Sequence, residues 1–246
     1  MGDNRQDAAR EAAAHEGATR GLLATGAAYA VLAVAGVALA VLDGAPDTAD
    51  TRTAWPMLAL AVVMMGVLAR CTPLRDGVPG RVVALACGVA SAIACATPQP
   101  GLMLFGEDGD AMLRDVEAWF AAVGGLLVVL VVVSFGRQMA REERSDLIRG
   151  LSHSVLDGIA MIAATGWRFL PGMLAAGFAG PMDAAWIVGC VALVGIAAVF
   201  AVAGATWLTG MDAEADALHP ELGMGVLPVM LCGAAVPVLT LVVALV

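Results

Sequence analysis

Long hydrophobic stretches alternate with short polar segments along the whole chain. A helix needs about 20 residues to cross about 30 Å of hydrocarbon, and most of the stretches approach or exceed that length. The pattern therefore predicts an all-α, polytopic transmembrane helical bundle with seven spans. Six spans are the alternative, because the second and third stretches are short. The predicted spans are about 21–42, 55–69, 82–97, 118–136, 151–170, 185–208 and 224–246.

The chain divides into a polar segment, residues 1–20, and a single transmembrane helical domain, residues 21–246. The polar segment contains four acidic residues. A secretory signal peptide instead begins with a positively charged region. We therefore expect an uncleaved first helix, and a multi-pass protein of the cytoplasmic membrane.

Composition supports a lipid-facing surface. Hydrophobic residues make up 60% of the chain and charged residues 14%, and the mean hydropathy is +0.86. A soluble domain carries roughly 25% charged residues, so the lipid bilayer is the expected environment. The net charge of −9 and the absence of a basic run give no indication of nucleic-acid binding.

The arginines predict the orientation, because basic residues in short loops favour the cytoplasmic side. With the N-terminus inside and the C-terminus outside, ten of the thirteen basic residues lie inside and three outside. The inside set is Arg5, Arg10, Arg20, Arg70, Arg75, Arg81, Arg137, Arg141, Arg144 and Arg149, and the outside set is Arg52, Arg114 and Arg168.

Four of the five tryptophans fall at the outer boundary in this topology. The amphipathic indole ring prefers the membrane interface. We therefore predict an outer interface belt formed by Trp55, Trp119, Trp167 and Trp186.

The most arginine-rich predicted cytoplasmic loop, residues 137–150, contains Arg137, Arg141, Arg144 and Arg149. One interpretation is a topology determinant. The other is a docking site for anionic lipid headgroups or an unidentified membrane partner. The sequence leaves both open.

His153 and Asp157 are the candidate intramembrane polar site. Four residues separate them, so they share one helix face about one turn apart. An ionisable group at membrane depth costs at least about 2.5–3.5 kcal/mol and usually faces the bundle interior or water. We expect Asp157 to face the protein interior, with either a functional role or a role in packing.

Two segments carry a resemblance to a known group of proteins. "REERSDLIRGLSHSV", residues 141–155, and "GWRFLP", residues 166–171, resemble the arginine-rich loop and following helix of uncharacterised polytopic membrane proteins from high-GC Gram-positive bacteria. The resemblance implies a membrane location and no catalytic residues.

Several chemistries find no support. The chain has no lysine, which excludes a retinal Schiff base and a P-loop. Its five cysteines lack C-x-x-C spacing and are expected to be buried apolar side chains. We predict no catalytic residue, no metal and no cofactor.

Pro228 and Pro237 predict a kink in the last span, whose freed carbonyls need partners.

Two function classes remain. The first is a non-enzymatic accessory or interaction protein that docks a partner or lipid through cytoplasmic loops 137–150 and 209–223. The second is a small transporter or permease that uses Asp157 and His153. Sparse intramembrane polarity favours the first, because a polar cargo needs several lining groups.

Overall fold

The computed structural model describes residues 3–43, 51–72, 74, 77–97, 103, 111–140, 147–179, 183–210 and 218–245. These residues form α-helices and one 3-10 helix, and no strand occurs among them. The helices are α1 (Asp3–Asp43), α2 (Thr51–Cys71), α3 (Gly77–Ala96), α4 (Ala111–Met139), α5 (Leu147–Ala164), the 3-10 helix (Thr165–Phe169), α6 (Leu170–Ala179), α7 (Ala184–Gly210), α8 (Pro220–Cys232) and α9 (Ala235–Leu245).

Six helical stretches within the described residues are long and apolar enough to cross a membrane. The predicted all-α, multi-pass helical bundle is therefore confirmed. The apolar part of α2 is shorter, as its sequence indicated. The six are His15–Leu42, Val78–Ala96, Leu113–Met139, Gly150–Phe178, Ala184–Trp207 and Pro220–Ala244, and the shorter one is Trp55–Cys71.

Pairs of touching residues give the direction of each segment. The contacts Gly204–Pro228 and Gly189–Val243 show that α7 runs antiparallel to α8 and α9, and Leu130–Gly158 and Gln138–Gly150 show that α4 runs antiparallel to α5. The contacts Gly88–Met161 and Ser91–Thr165 show that α3 runs parallel to the fifth crossing. Thr25–Gly225 and Tyr29–Pro228 show that α1 runs parallel to α8.

The short helix α2 is one of the crossings. Its last residue, Cys71, packs against Gly223 at the start of α8, where an added Cβ would have no room. At the other end of α2, Met57 and Leu58 are buried in the core. Counting α5–α6 and α8–α9 once each, the described helices therefore form seven crossings of the bundle in alternating directions.

The arginines separate between the two ends of the bundle as the sequence indicated. We call the end where α2 ends and α3, α5 and α8 begin the arginine end. Arg75, Arg141 and Arg144 lie outside the described residues. Helix positions near the arginine end hold Arg20, Arg70, Arg81, Arg137 and Arg149, and those near the opposite end hold Arg52, Arg114 and Arg168.

Two boundaries differ from the prediction. The fifth crossing does not end near residue 170 but continues through the 3-10 helix into α6. Pro171 did not end it, because proline fits the first turn of a helix, where its missing N–H costs no hydrogen bond. The first helix does not begin near residue 21, where the predicted span begins, but at Asp3, so the polar segment 1–20 is continuous with α1.

Two of the four tryptophans of the predicted interface belt lie inside the bundle. Trp55 is 55% exposed and Trp186 is partly buried, but Trp119 and Trp167 are each only 3% exposed. Both buried rings have an N–H that finds an acceptor inside the bundle. That hydrogen bond makes the core as suitable for an indole as the interface.

The expected character of the cysteines is confirmed. Cys71, Cys87, Cys95 and Cys232 are buried, Cys190 is partly buried, and all five are free thiols.

The seven alternating crossings predict chain ends on opposite sides of the membrane, with the N-terminus cytoplasmic. Fusing a reporter that is active only in the cytoplasm to residue 2 should give signal, and fusing it after Val246 should not. A reporter active only outside should give the reverse. Equal signals from both ends would contradict the topology.

Candidate functional site

Asp157 is fully buried, with 0% of its surface exposed. Ser154, one turn earlier on α5, is also buried, and His153 is partly buried. Each of these three residues takes part in at least one hydrogen bond, ion pair, ring contact or electrostatic interaction. The expectation that Asp157 faces the protein interior rather than lipid is therefore confirmed, while its role stays a prediction.

Helix α3 covers one side of this site. Gly88 allows close contact with Met161, since an added Cβ would lie 2.8 Å from the Met161 Cβ. One helical turn further along, Ser91 Oγ lies 2.8 Å from Thr165 Oγ1. Because the two helices are parallel, Arg81, at the start of α3, lies at the level of Ser154. Sequence reasoning had assigned Arg81 only to topology.

Helix α4 adds two buried polar side chains that the sequence analysis missed. Ser134 is 1% exposed and Gln138 is 3% exposed, and their four-residue spacing puts both on one face. An added Cβ on Gly150 would lie 2.8 Å from Gln138 Nε2. In the antiparallel register Ser134 lies opposite Ser154. The signal in the sequence was two polar residues at helical spacing near the end of an apolar span.

The predicted basic loop is only partly described. Arg137, on the last turn of α4, is partly buried. Arg149 lies in the first turn of α5. Arg141 and Arg144 lie outside the described residues. The helix ends that bracket this loop are at the arginine end.

A second polar cluster surrounds Thr165, nearer the opposite end. Its hydroxyl donates to the carbonyl of Ile162 (2.7 Å). The same oxygen accepts from the Trp119 indole N–H (2.8 Å) and lies 2.8 Å from Ser91 Oγ. Since the one hydroxyl proton of Thr165 is directed to Ile162, Ser91 is the donor in the remaining contact. The cluster connects α3, α4 and the 3-10 helix.

Next to this cluster, Arg168 forms an ion pair with Asp115 of α4 at 3.0 Å. The side chains are 10% and 18% exposed, and the guanidinium lies 5.2 Å from the centre of the Phe169 ring. A partly buried arginine is stabilised by both kinds of partner.

An apolar layer separates Asp157 from Thr165. The two positions are eight residues apart along the helix, a rise of about 12 Å. Ala160, Met161 and Ala164 fill this layer and are fully buried. In the part of the chain that the structure describes, the two polar clusters are therefore separate.

The fifth and seventh crossings are both interrupted, and they touch at their interruptions. The fifth changes from α-helix to 3-10 helix at Thr165, and the seventh has a turn between α8 and α9. Gly166 packs on the carbonyl of Gly233, and Gly233 packs on the carbonyl of Ala163, with no room for a side chain at either glycine.

Side chains from other parts of the bundle donate to backbone carbonyls of α8. The Trp167 indole donates to the Val229 carbonyl (2.9 Å). From α1, Thr25 donates to Gly225 (2.7 Å) and Tyr29 to Pro228 (3.4 Å). The last span is interrupted between α8 and α9, and the Gly233 carbonyl, which Pro237 leaves without its usual donor, accepts from the Val236 N–H (3.3 Å).

Among the described residues, no group of three or more His, Cys, Asp or Glu side chains is arranged to hold a metal ion. Comparison with protein-family models, with curated proteins and with solved structures finds no match. The resemblance to membrane proteins of high-GC Gram-positive bacteria therefore stays a prediction, and the candidate site rests on its own geometry.

The Thr165 cluster gives a stability prediction. Thr165→Val keeps the shape but removes the shared oxygen, leaving the Trp119 and Ser91 donors without it. We expect a loss of about 1–2 kcal/mol in detergent-solubilised protein, measured by thermal unfolding. Thr97→Val is the matched control, because the Thr97 hydroxyl is exposed and bonds only the Ile93 carbonyl (3.2 Å). Equal effects of the two variants would contradict the assigned hydrogen-bond network.

Proposed function

We propose that the protein is a non-enzymatic accessory or interaction protein of a membrane, which docks a partner or anionic lipid through loops 137–150 and 209–223. One observation carries the proposal. Both loops leave the bundle at the arginine end, from the α4–α5 and α7–α8 hairpins, and these hairpins pack against each other through α5 and α8.

The charges of the two loops support a common docking surface. Loop 137–150 holds four arginines and three acidic residues, whereas the charged residues of loop 209–223 are all acidic. At the end of the second loop, Glu221 lies in the first turn of α8, where a carboxylate stabilises the helix dipole. Neighbouring surfaces of opposite charge can orient a partner that carries both signs.

The interior also favours a function at the surface. The polar side chains around Thr165 and along α8 are used in hydrogen bonds that hold the bundle together. Gly88, Gly166 and Gly233 pack so closely that an added carbon would collide. A core of this kind gives a polar cargo few lining groups.

The docking proposal is tested by replacing Arg137, Arg141, Arg144 and Arg149 with glutamine. We expect topology to survive, because six of the ten arginines predicted to be cytoplasmic remain, while co-purification of anionic lipid or of a cross-linked partner falls. In the wild type, retention should weaken as salt rises and screens the charges.

The matched control is Glu142→Gln with Glu143→Gln, which alters the same loop but keeps its basic charge. It should retain lipid and partner. Retention unchanged in the arginine variant would count against docking, and an inverted topology would instead favour the topology interpretation.

A second candidate function is a small transporter or permease that uses Asp157 and His153. A specific observation favours it. A fully buried carboxyl lies on a crossing that is itself interrupted and touches a second interrupted crossing. In many transporters, discontinuous helices near the bilayer midplane form the substrate and ion sites.

This candidate predicts that Asp157→Asn, which keeps the shape but cannot exchange a proton, abolishes proton movement while expression stays normal. The measurement is the change in a pH dye trapped in proteoliposomes under an imposed potential. If Asp157 has a structural role alone, wild-type vesicles will behave like empty ones, and Asp157→Leu will lower the thermal stability of the extracted protein more than Asp157→Asn does.

A further inference from the structure

Two charged side chains lie within membrane-crossing stretches on helices that pack against each other. Arg81 is the one charged residue of Val78–Ala96. Asp157 lies within Gly150–Phe178 and is the most completely buried acid among the described side chains. Arg81 is partly buried, and its Nε atom is inaccessible to solvent.

The register of α3 and α5 brings these two side chains close. Residue numbers on α5 exceed those on α3 by 73 for Gly88–Met161 and by 74 for Ser91–Thr165. The same offset puts Ala84 opposite Asp157 and Arg81 one turn below, about 4.5 Å along the axis. An arginine side chain spans that distance.

The two side chains also lie on suitable faces. Arg81, Ala84, Gly88 and Ser91 follow each other at three- and four-residue spacing, so Arg81 is on the α3 face that touches α5. Asp157 precedes Met161 by four residues, on the α5 side that receives Gly88. Both Arg81 and Asp157 take part in polar or electrostatic interactions.

Other cationic side chains are less well placed to pair with Asp157. Arg137 of α4 lies, by the antiparallel register of that helix with α5, about six residues or 9 Å below Asp157. Arg70, at the end of α2, is exposed. His153, on the same helix as Asp157, carries a charge only when protonated.

We propose that Arg81 is the countercharge of Asp157, and that this interhelical charge pair fixes the register of α3 against α5. The Arg168–Asp115 pair, at the opposite end of the same crossing, is a visible precedent in this protein. The third span, which carries Arg81 near its start, would thereby be held in the bundle. This inference depends on neither of the proposed functions.

The test is a double-mutant cycle on Arg81→Gln and Asp157→Asn. For each variant, fused to a fluorescent protein, the folded fraction is measured by size-exclusion chromatography and the thermal midpoint by heating. Each single change leaves one charge uncompensated. We expect Arg81→Gln to be the more harmful, because an arginine near a helix end can reach water whereas Asp157 cannot. The double variant should recover, with a coupling of about tenfold in the folded-to-unfolded ratio.

Two further cycles calibrate the result. Arg168→Gln with Asp115→Asn, a pair already in contact, should also show coupling. The mismatched combination of Arg81→Gln with Asp115→Asn should be additive. The proposal is overturned if the effects of Arg81→Gln and Asp157→Asn simply add in the double variant, as they do in the mismatched combination. It is also overturned if the single variants do not fold and the double variant does not fold either.

Discussion

Every backbone polar group that crosses hydrocarbon must be satisfied within the protein, and this constraint shapes the centre of the bundle. An unbroken helix meets it alone, but the fifth and seventh crossings are broken at the 3-10 helix and between α8 and α9. Side chains of neighbouring segments add hydrogen bonds to carbonyls of α8, from Trp167, Thr25 and Tyr29. These hydrogen bonds hold α1 and the fifth crossing against α8.

The same two crossings approach closely because glycine occupies both contact points. Gly166 and Gly233 each pack on a carbonyl of the other segment, where any side chain would collide. In lipid, where helix association gains little from the hydrophobic effect, close approach and interhelical hydrogen bonds supply the attraction. The interruptions thus contribute to the tertiary contacts rather than only weakening the helices.

Charge is distributed along the fifth crossing in a related way. It carries Asp157 near the arginine end and Arg168 near the other, with an apolar layer between them. Arg168 is paired with Asp115 at 3.0 Å, and we infer Arg81 as the partner of Asp157. An accessory protein needs such pairs only to hold its shape, whereas a transporter would exchange a proton at one of them. The choice between the functions therefore depends on whether Asp157 changes its charge.

The sequence by itself determined the helical class, seven alternating segments, the separation of arginines between the ends and the inward face of Asp157. These follow from hydrophobic length, charge and a 3.6-residue period, all of which are local. Only the tertiary structure decided that Trp119 and Trp167 belong to the core, that Arg81 faces the side of Asp157, and that the fifth crossing continues into α6. In a membrane protein both the lipid and the core are apolar, so a sequence pattern identifies a helix face without specifying which neighbour that face meets.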